Sequence, residues 1–569
     1  MRPFANAPTP ELDSGAEVAG PEPAADWKAI LALFVVFFAI AVAVQSASGT
    51  LRQDSETAHY SDEPAHVVTS LMIHDYIAAG FPGSPLRYAE IYYLHYPKVA
   101  IGMWPPVFHL VAAFWMFIFG AGKTSLLLLI AFQAAALATT LSWFGQRLFH
   151  PVIAAGLGAL LLLNPLMQYC MTMVMLDVMV ALLEFWSMLC LIRFFRTRKT
   201  SDGILFGFVT VCAMLTKGNA DALVLMPPIM ILLTRQWNVI KLRGLYAAGA
   251  LILIIGGPWQ LWSWRIIQDT VPVSRLNLTH LVGILLVYSG DLLRALGWPL
   301  TIVALVGFAV FLASILKRPA FGPEGLSLAA VASMFLAVIV FQCIAPVPSD
   351  ERYMLPAVVP LLIFFVKGIR ALAVSLTVPF SVPARELALA GLCLIVFAAR
   401  TFSIPSRLPL GYSRVADLLR DPRSPSKVSL VCSDSNGEGA LISEIAMGDK
   451  RPDRFVLRSS KVLSENEWDA TAYRPYFSTP GKLLEYLDFV PVDAVAVDRS
   501  QFMWKGDRDI LISTLNSAPD KWRQTADIPS GPISRHLVLY RRIAGATAGD
   551  HPNLKVNMRF TLGRVLSLQ

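Results

Sequence analysis

Two adjacent carboxylates, Asp62-Glu63, follow the first apolar run of the chain and open a segment in which Val67, Val68, Leu71, Met72, Tyr76 and Ala79 recur at spacings of three and four. A carboxylate in such a place can accept a proton from a reacting hydroxyl, with its neighbour positioning it or the substrate. Ser61 or Asp62 would equally make an ordinary helix N-cap. Arg352, in Arg352-Tyr353-Met354-Leu355-Pro356, ends a polar run just before an apolar one, where a guanidinium can make two parallel hydrogen bonds to a phosphate or, as the structural alternative, a local surface salt bridge with Asp350 or Glu351. Asp177 lies within the otherwise apolar Met171–Leu183, and an ionisable residue at membrane depth is costly enough to suggest function. Its structural alternative is a carboxylate near a helix end reaching water. Glu184, seven residues on, falls on roughly the same helix face and is equally explained by a hydrogen bond between helices. Lys217 could reach a phosphate or simply extend to the membrane interface. His66, His74 and His95 show no HxxxH or HxxE spacing, so they read as polar or substrate contacts rather than metal ligands. Ser433 to Gly439, between a strand and a helix, lacks G-x-G-x-x-G and carries acids, so it reads as a cap and turn.

The elements that must position these residues are membrane helices. Hydrophobic residues make up 55% of the chain and charged ones 15%, and the mean hydropathy is +0.55. That balance excludes a soluble enzyme and a disordered scaffold. The net charge of +8 comes without a basic stripe interleaved with aromatics, so it reads as a positive-inside bias and not as a nucleic-acid surface. Five of six cysteines lie in apolar runs, with no CxxC pair, which argues against disulfides and a zinc cluster.

Residues 1–27 read as a disordered cytoplasmic head and Ala29–Val44 as a retained signal anchor. Further runs fall near 104–121, 124–145, 151–167, 171–192, 203–216, 221–234, 244–264, 296–316, 325–346, 353–374 and 384–400. Basic clusters at Arg193 to Lys199, Arg235 to Arg243, Lys317-Arg318 and Lys367 to Arg370 orient them, placing loop 47–103 and everything after 400 on the outer face. Four runs separate that loop from the Arg193 cluster where an odd number is required. One of them therefore does not cross, with Trp104-Pro105-Pro106 and Asn164-Pro165 as the places to look. The expectation is 11 or 13 crossings over residues 28–400, with loop 47–103 carrying an interfacial helix over 64–79. A linker over 401–426 and a small extracytoplasmic α/β domain over 427–569 follow.

In order along the chain, Asp62-Glu63-Pro64-Ala65-His66, Tyr92-Tyr93-Leu94-His95-Tyr96-Pro97-Lys98, Trp104-Pro105-Pro106, Asn164-Pro165, Leu176-Asp177, Thr216-Lys217-Gly218, Pro258-Trp259 and Arg352-Tyr353 resemble the landmarks of the C-type (GT-C) membrane glycosyltransferases. The resemblance is to the protein O-mannosyltransferases and the lipid A aminoarabinose transferases, and covers residues 28–400. One departure is Trp104, where aminoarabinose transferases often carry Lys. The resemblance implies an inverting glycosyltransferase that takes a hexose or pentose from a polyprenyl-phosphate donor. The acceptor would be an extracytoplasmic hydroxyl on protein, glycolipid or polysaccharide, in a bacterial inner membrane with the site on the periplasmic side. Asp62 is then the base, with Glu63 and Asp177 as further acidic groups. Arg352, Lys98 and Lys217 hold the donor phosphate, and His66, His95 and Tyr353 contact acceptor or sugar. No cofactor is required, and the divalent-metal question stays open. The rival readings are a transporter or flippase, disfavoured because the halves show no inverted repeat, and a non-catalytic scaffold.

Overall fold

The computed structural model describes residues 26–270, 277–317, 322–345, 349–423, 425–465, 473–500, 505–530, 535–544, 552–558 and 564–567. Residues 1–25, most of the head read as disordered, lie outside them. The helices that follow run between two chemically distinct ends. α1 (Trp27–Ser48) is capped by Asp26 and stops at Gly49, whose φ of 91° suits a residue without Cβ. Near that stop the buried Gln45 Nε2 donates to Leu127 O and Met171 O, both at 2.8 Å. This brings the start of α5 (Lys123–Gly145) and the finish of the α6–α7 pair (Pro151–Leu162, Pro165–Met171) to the same end as the loop that follows α1. α6 and α7 are bent by 60° at Asn164. The Asn164 side chain accepts from Leu166 N and Met167 N and donates to Ala295 O, so the broken backbone is satisfied inside the protein.

The opposite end gathers residues of three of the basic clusters, through Arg193–Asp202, Lys367–Glu324, Arg370–Glu386 and Arg235 to Leu316 O beside Lys317. Between the two ends run α8 (Asp177–Thr197), α9 (Thr200–Met214), a 3-10 segment Gly218–Leu225 continued by α10 (Met226–Thr234), and α11 (Arg243–Leu251), which leads through a π turn into α12 (Gly257–Thr270). The second half of α13 (Leu278–Lys317), α14 (Pro323–Ile344), α15 (Leu355–Ser375) and α16 (Val382–Arg400) complete the set. α13 and α15 meet backbone to backbone: a Cβ on Gly307 would lie 2.1 Å from Phe364 O and one on Gly368 1.9 Å from Val303 O.

The odd-number problem resolves at Trp104-Pro105-Pro106. α4 (Val107–Phe119) is too short to cross and return, and it lies alongside α2 (Glu63–Ala78). His66 meets His109 at one end, and the His74 and Phe117 rings lie 4.3 Å apart at the other. Just beyond α4, Lys123 Nζ donates to Arg52 O at 2.9 Å, so both ends of α4 lie on the loop side. The first half of α13 is a second such element. It stops at Gly297 (φ 73°), packed on Thr401 beyond α16, and polar Asp291 and Arg294 interrupt its hydropathy. Eight helices are long and apolar enough to cross. With the bent pair they make nine among the described residues, and α9 and the segment ending in α10 are shorter apolar helices that run between the same two ends.

Loop 47–103 holds α2 and α3 (Pro85–His95). α2 differs from the interfacial helix expected there. Residues 63–71 are all buried, because the helix is packed between α4 and the C-terminal unit instead of lying on the bilayer. That unit carries a mixed five-stranded sheet in the order Phe455–Arg458, Val428–Cys432, Ala494–Asp498, Arg535–Arg542, Trp522–Ser530, the first three parallel. The stretch read as a linker contains α17 (Tyr412–Arg420), whose Tyr412, Val415, Ala416 and Leu419 are buried at helical spacing against α18 (Ser435–Gly448). Asp434 caps α18 by accepting from Gly437 N at 2.7 Å.

Candidate active site

α2 begins at Asp62, whose backbone is helical and whose side chain makes no capping hydrogen bond. The carboxylate is thus left available at the positive end of a helix. Burial raises its pKa, while Arg352, Lys98 and Lys217 pull it down, so three cations from three elements face it. Glu63 is turned elsewhere. Its two oxygens accept from Val174 N at 2.9 Å and His59 N at 3.0 Å, tying the loop to the α7–α8 turn, and burial lifts its pKa to about 7.

Opposite Asp62, a 3-10 turn Glu351–Met354 precedes α15. Its cap, Asp350, accepts from Arg352 N and Nε at 3.0 Å and from Nη2 at 2.7 Å. Although buried, Asp350 is held down to about 2 by these bonds. Tyr60 completes this corner, its hydroxyl donating to Asp350 Oδ2 at 2.8 Å while the guanidinium stacks 3.8 Å over its ring. Arg352 is 3% exposed, so its pairing with Asp350 is a buried one.

The first residue of α8, Asp177, divides its oxygens. Oδ1 accepts from Lys217 Nζ at 2.5 Å, and Oδ2 faces Arg352 Nη1 at 3.5 Å, beyond good hydrogen-bond length. Both Oδ2 and Nη1 are buried without a hydrogen bond, although they form a loose ion pair with each other. Lys217 Nζ also lies 4.6 Å from the Tyr353 ring. His66 adds a third unsatisfied atom. His109 Nδ1 is 3.2 Å from Pro105 O and its Nε2 is 3.2 Å from His66 Nδ1, which makes His66 Nε2 a buried acceptor with nothing to accept from. Burial, then the neighbouring His109, Lys217 and Arg352, keep His66 neutral. Trp104 packs edge-on to His66, 4.5 Å between ring centroids, in place of a lysine before the Pro-Pro pair.

The predicted residues Asp62, Asp177, Lys217, Arg352, Tyr353 and His66 therefore come together, and Lys98 joins from the side. Its Nζ donates to Ser61 O at 3.1 Å, and burial takes its pKa to about 7. His95 does not join them: it stacks on Phe455 at 3.9 Å and meets Arg454 O, inside the contact with the C-terminal unit. Glu184 sits deeper in α8, 1% exposed and with neither oxygen bonded. Tyr60 and His109 belong to the candidate site but were not singled out from the sequence, whereas Asp350 was legible as a local ion-pair partner of Arg352, which it is. For Tyr60 no signal existed, and for His109 the only one was its place one turn after Pro105.

The C-terminal unit roofs this cluster. A Cβ on Gly439 would lie 2.8 Å from both Lys98 Cε and Pro64 Cγ. Glu438 accepts from Arg458 Nε at 2.9 Å while Arg458 Nη1 donates to Pro97 O. Arg451 pairs with Asp75, and Glu56 accepts from Leu410 N and Ser413 N.

The helical bundle with its polar cluster at one end and an α/β unit over it is found to be similar to membrane glycosyltransferases of known structure. The chain superposes on ArnT from Cupriavidus metallidurans bound to undecaprenyl phosphate with a TM-score of 0.52 at 15% identity, over 93% of this chain and 100% of that one. An oligosaccharyltransferase from Archaeoglobus fulgidus gives 0.53 at 11% identity, over 82% and 68%. At these identities the likeness is one of fold. Residues 104–262 match the family described as dolichyl-phosphate-mannose-protein mannosyltransferase, and no curated protein matches the sequence. By fold the chain is similar to these membrane glycosyltransferases of known structure, and over residues 104–262 it resembles the mannosyltransferases.

Proposed function

We propose that this protein is an inverting glycosyltransferase that moves a hexosyl or pentosyl group from a polyprenyl phosphate to an acceptor hydroxyl. It would act on the outer face of a bacterial inner membrane, the basic end of the bundle lying in the cytoplasm. The observation that supports this most directly is the set of groups left without a hydrogen bond at the loop end: the half-buried Asp62 carboxylate, which makes no capping bond, and the buried Asp177 Oδ2, Arg352 Nη1 and His66 Nε2. A substrate offering hydroxyls and a phosphate satisfies donors and acceptors of this kind. The acceptor oxygen attacks the anomeric carbon as its proton passes to Asp62. The bond from that carbon to the phosphate oxygen breaks, and the electron pair leaves with the lipid phosphate. Such a leaving group needs no general acid, so one base and a cationic clamp suffice.

In this reading Asp177 holds Lys217 and Arg352 apart and oriented, and Glu63 positions the loop that carries Asp62. Arg352 meets the phosphate through Nη1, since Asp350 already occupies its other edge. Tyr353, His66 and Lys98 line the space around the sugar and phosphate, and His95 holds the roof. The experiment is release of polyprenyl phosphate by the purified full chain from a panel of polyprenyl-phosphate hexoses and pentoses. Release above that of the Asp62→Asn variant is expected with at least one donor, and its absence from every donor overturns the reading. For the active donor, Arg352→Lys should raise the apparent donor constant of the folded protein, together with a lowered melting temperature from the lost fork on Asp350.

A further inference from the structure

At the basic end of the bundle two arginines differ from their neighbours. Arg198 closes α8 and Arg235 closes α10, and both hold left-handed backbone, at φ of 60° and 54°. Residues with a Cβ take that conformation at a cost. It brings the two guanidinium-bearing chains to one open hollow of about 520 Å³, lined with them by Gln236, Trp237 and Asn238.

Neither guanidinium has a carboxylate partner among the described residues. Arg198 Nη2 donates to Gln236 Oε1, while its Nη1 is buried with no acceptor. Arg235 makes one long bond, 3.4 Å, to Leu316 O. The acids of this end are engaged elsewhere: Asp202 by Arg193 and Thr197, Glu324 by Lys367, Glu386 by Arg370. Lys199, Lys241 and Arg243, close to these residues in the chain, add positive charge to this end. Against this stand only the carbonyl ends of α8 and α10, whose partial charges are smaller than those of two full cations.

The site lies at the edge of the lipid-facing surface. Leu232, one turn before Arg235, is 62% exposed, Tyr246 is 64% exposed, and Ile240 and Trp237 are also exposed. An indole beside arginines at a helix end is the composition of a membrane interface. We propose that this hollow binds the phosphodiester head group of an anionic phospholipid, with Arg198 and Arg235 on the phosphate, Gln236 and Asn238 on its polar substituent, and the acyl chains along Leu232 and Tyr246. The apolar rim favours a lipid over free phosphate, which shares the charge but gains nothing from that rim. The site is independent of the transfer reaction at the other end.

The test uses the purified full chain in vesicles of phosphatidylcholine and of an equimolar mixture of phosphatidylcholine and phosphatidylglycerol, with native mass spectrometry of retained lipid and thermal melting. Wild type should retain phosphatidylglycerol selectively and melt higher in the mixed vesicles. Arg198→Gln/Arg235→Gln should retain it about 30-fold less tightly, from the worth of two basic side chains at an anionic surface. Its melting in pure phosphatidylcholine should match wild type, which shows that it folds. If the double variant falls below wild type there, Arg198→Lys/Arg235→Lys replaces it, with intermediate retention expected. Equal retention by wild type and the folded variant overturns the proposal. So does protection by millimolar inorganic phosphate equal to that by phosphatidylglycerol, which would assign the hollow to a soluble anion.

Discussion

The two ends of the bundle use the same charged residue types in opposite ways. At the basic end the pairs Arg193–Asp202, Lys367–Glu324 and Arg370–Glu386 each keep at least one exposed side chain, and such pairs are worth little because water competes for both partners. At the loop end Asp177 and Arg352 are 1% and 3% exposed, and each still has an unbonded polar atom. Their charges are paired, Asp177 with Lys217 and Arg352 with Asp350, but a buried polar atom without a hydrogen bond is costly, and under the proposed function a substrate supplies the missing bond. Arg198 and Arg235 are the exception at the basic end, and the inference drawn from them follows the same logic.

The strongest way to break this contrast is Asp62→Asn. It should lower transfer by on the order of 100-fold or more, while the melting temperature stays within a degree or so, since the side chain makes no capping bond to lose. Glu63→Gln should do the reverse. It places an amide N–H against one of two backbone N–H donors, which costs about 1–3 kcal/mol of stability, and leaves turnover per folded molecule closer to wild type. Matching losses of turnover in both variants would show that the pair acts as a unit.

Next is Asp177→Asn. Removing one partner of a buried ion pair costs about 3–5 kcal/mol, so denaturant unfolding should show a loss of that size together with impaired donor use. By contrast, a small loss would mean that water already reaches Lys217 and Arg352.

A smaller effect is expected from pH. Burial, then Arg458, lowers the Lys98 pKa to about 7, against the pull of Asp62. Its ammonium is therefore half lost near neutrality, and donor affinity should decline as pH rises through about 7. Lys98→Arg keeps its proton throughout and should remove that decline. An unchanged alkaline limb in the variant would assign it to another group.

The smallest expected effect is at the basic end. Arg370→Gln breaks a pair whose arginine is 61% exposed, and should move stability by about 0–1 kcal/mol and turnover not at all. A large loss there would erase the distinction between the ends.

Much of this was legible in the residues themselves. Long apolar runs and basic clusters define membrane helices and their direction because transfer of charge into hydrocarbon dominates every other term. Asp177 and Arg352 of the candidate site stood out for a similar reason, as charges in or beside such runs, while the ordered landmarks from Asp62 to Arg352 were legible through their resemblance to a known family. What stayed illegible depended on distance across the fold. Asp62 and Glu63 are adjacent in sequence, yet one faces three cations and the other two backbone amides. Tyr60 and Asp350, 290 positions apart, meet through a hydrogen bond that no periodicity announces.

The sequence by itself determined that this chain is a polytopic membrane protein with a polar outer loop and a polar C-terminal unit, because hydropathy and charge act locally and add along the chain. Only the tertiary structure decided that α4 lies on the loop side, that α2 is covered rather than floating on lipid, and that the C-terminal unit closes over Lys98 and Pro64. Those outcomes are set by which surfaces remain to be buried once the helices have packed. That is a property of the assembled bundle and of no single segment.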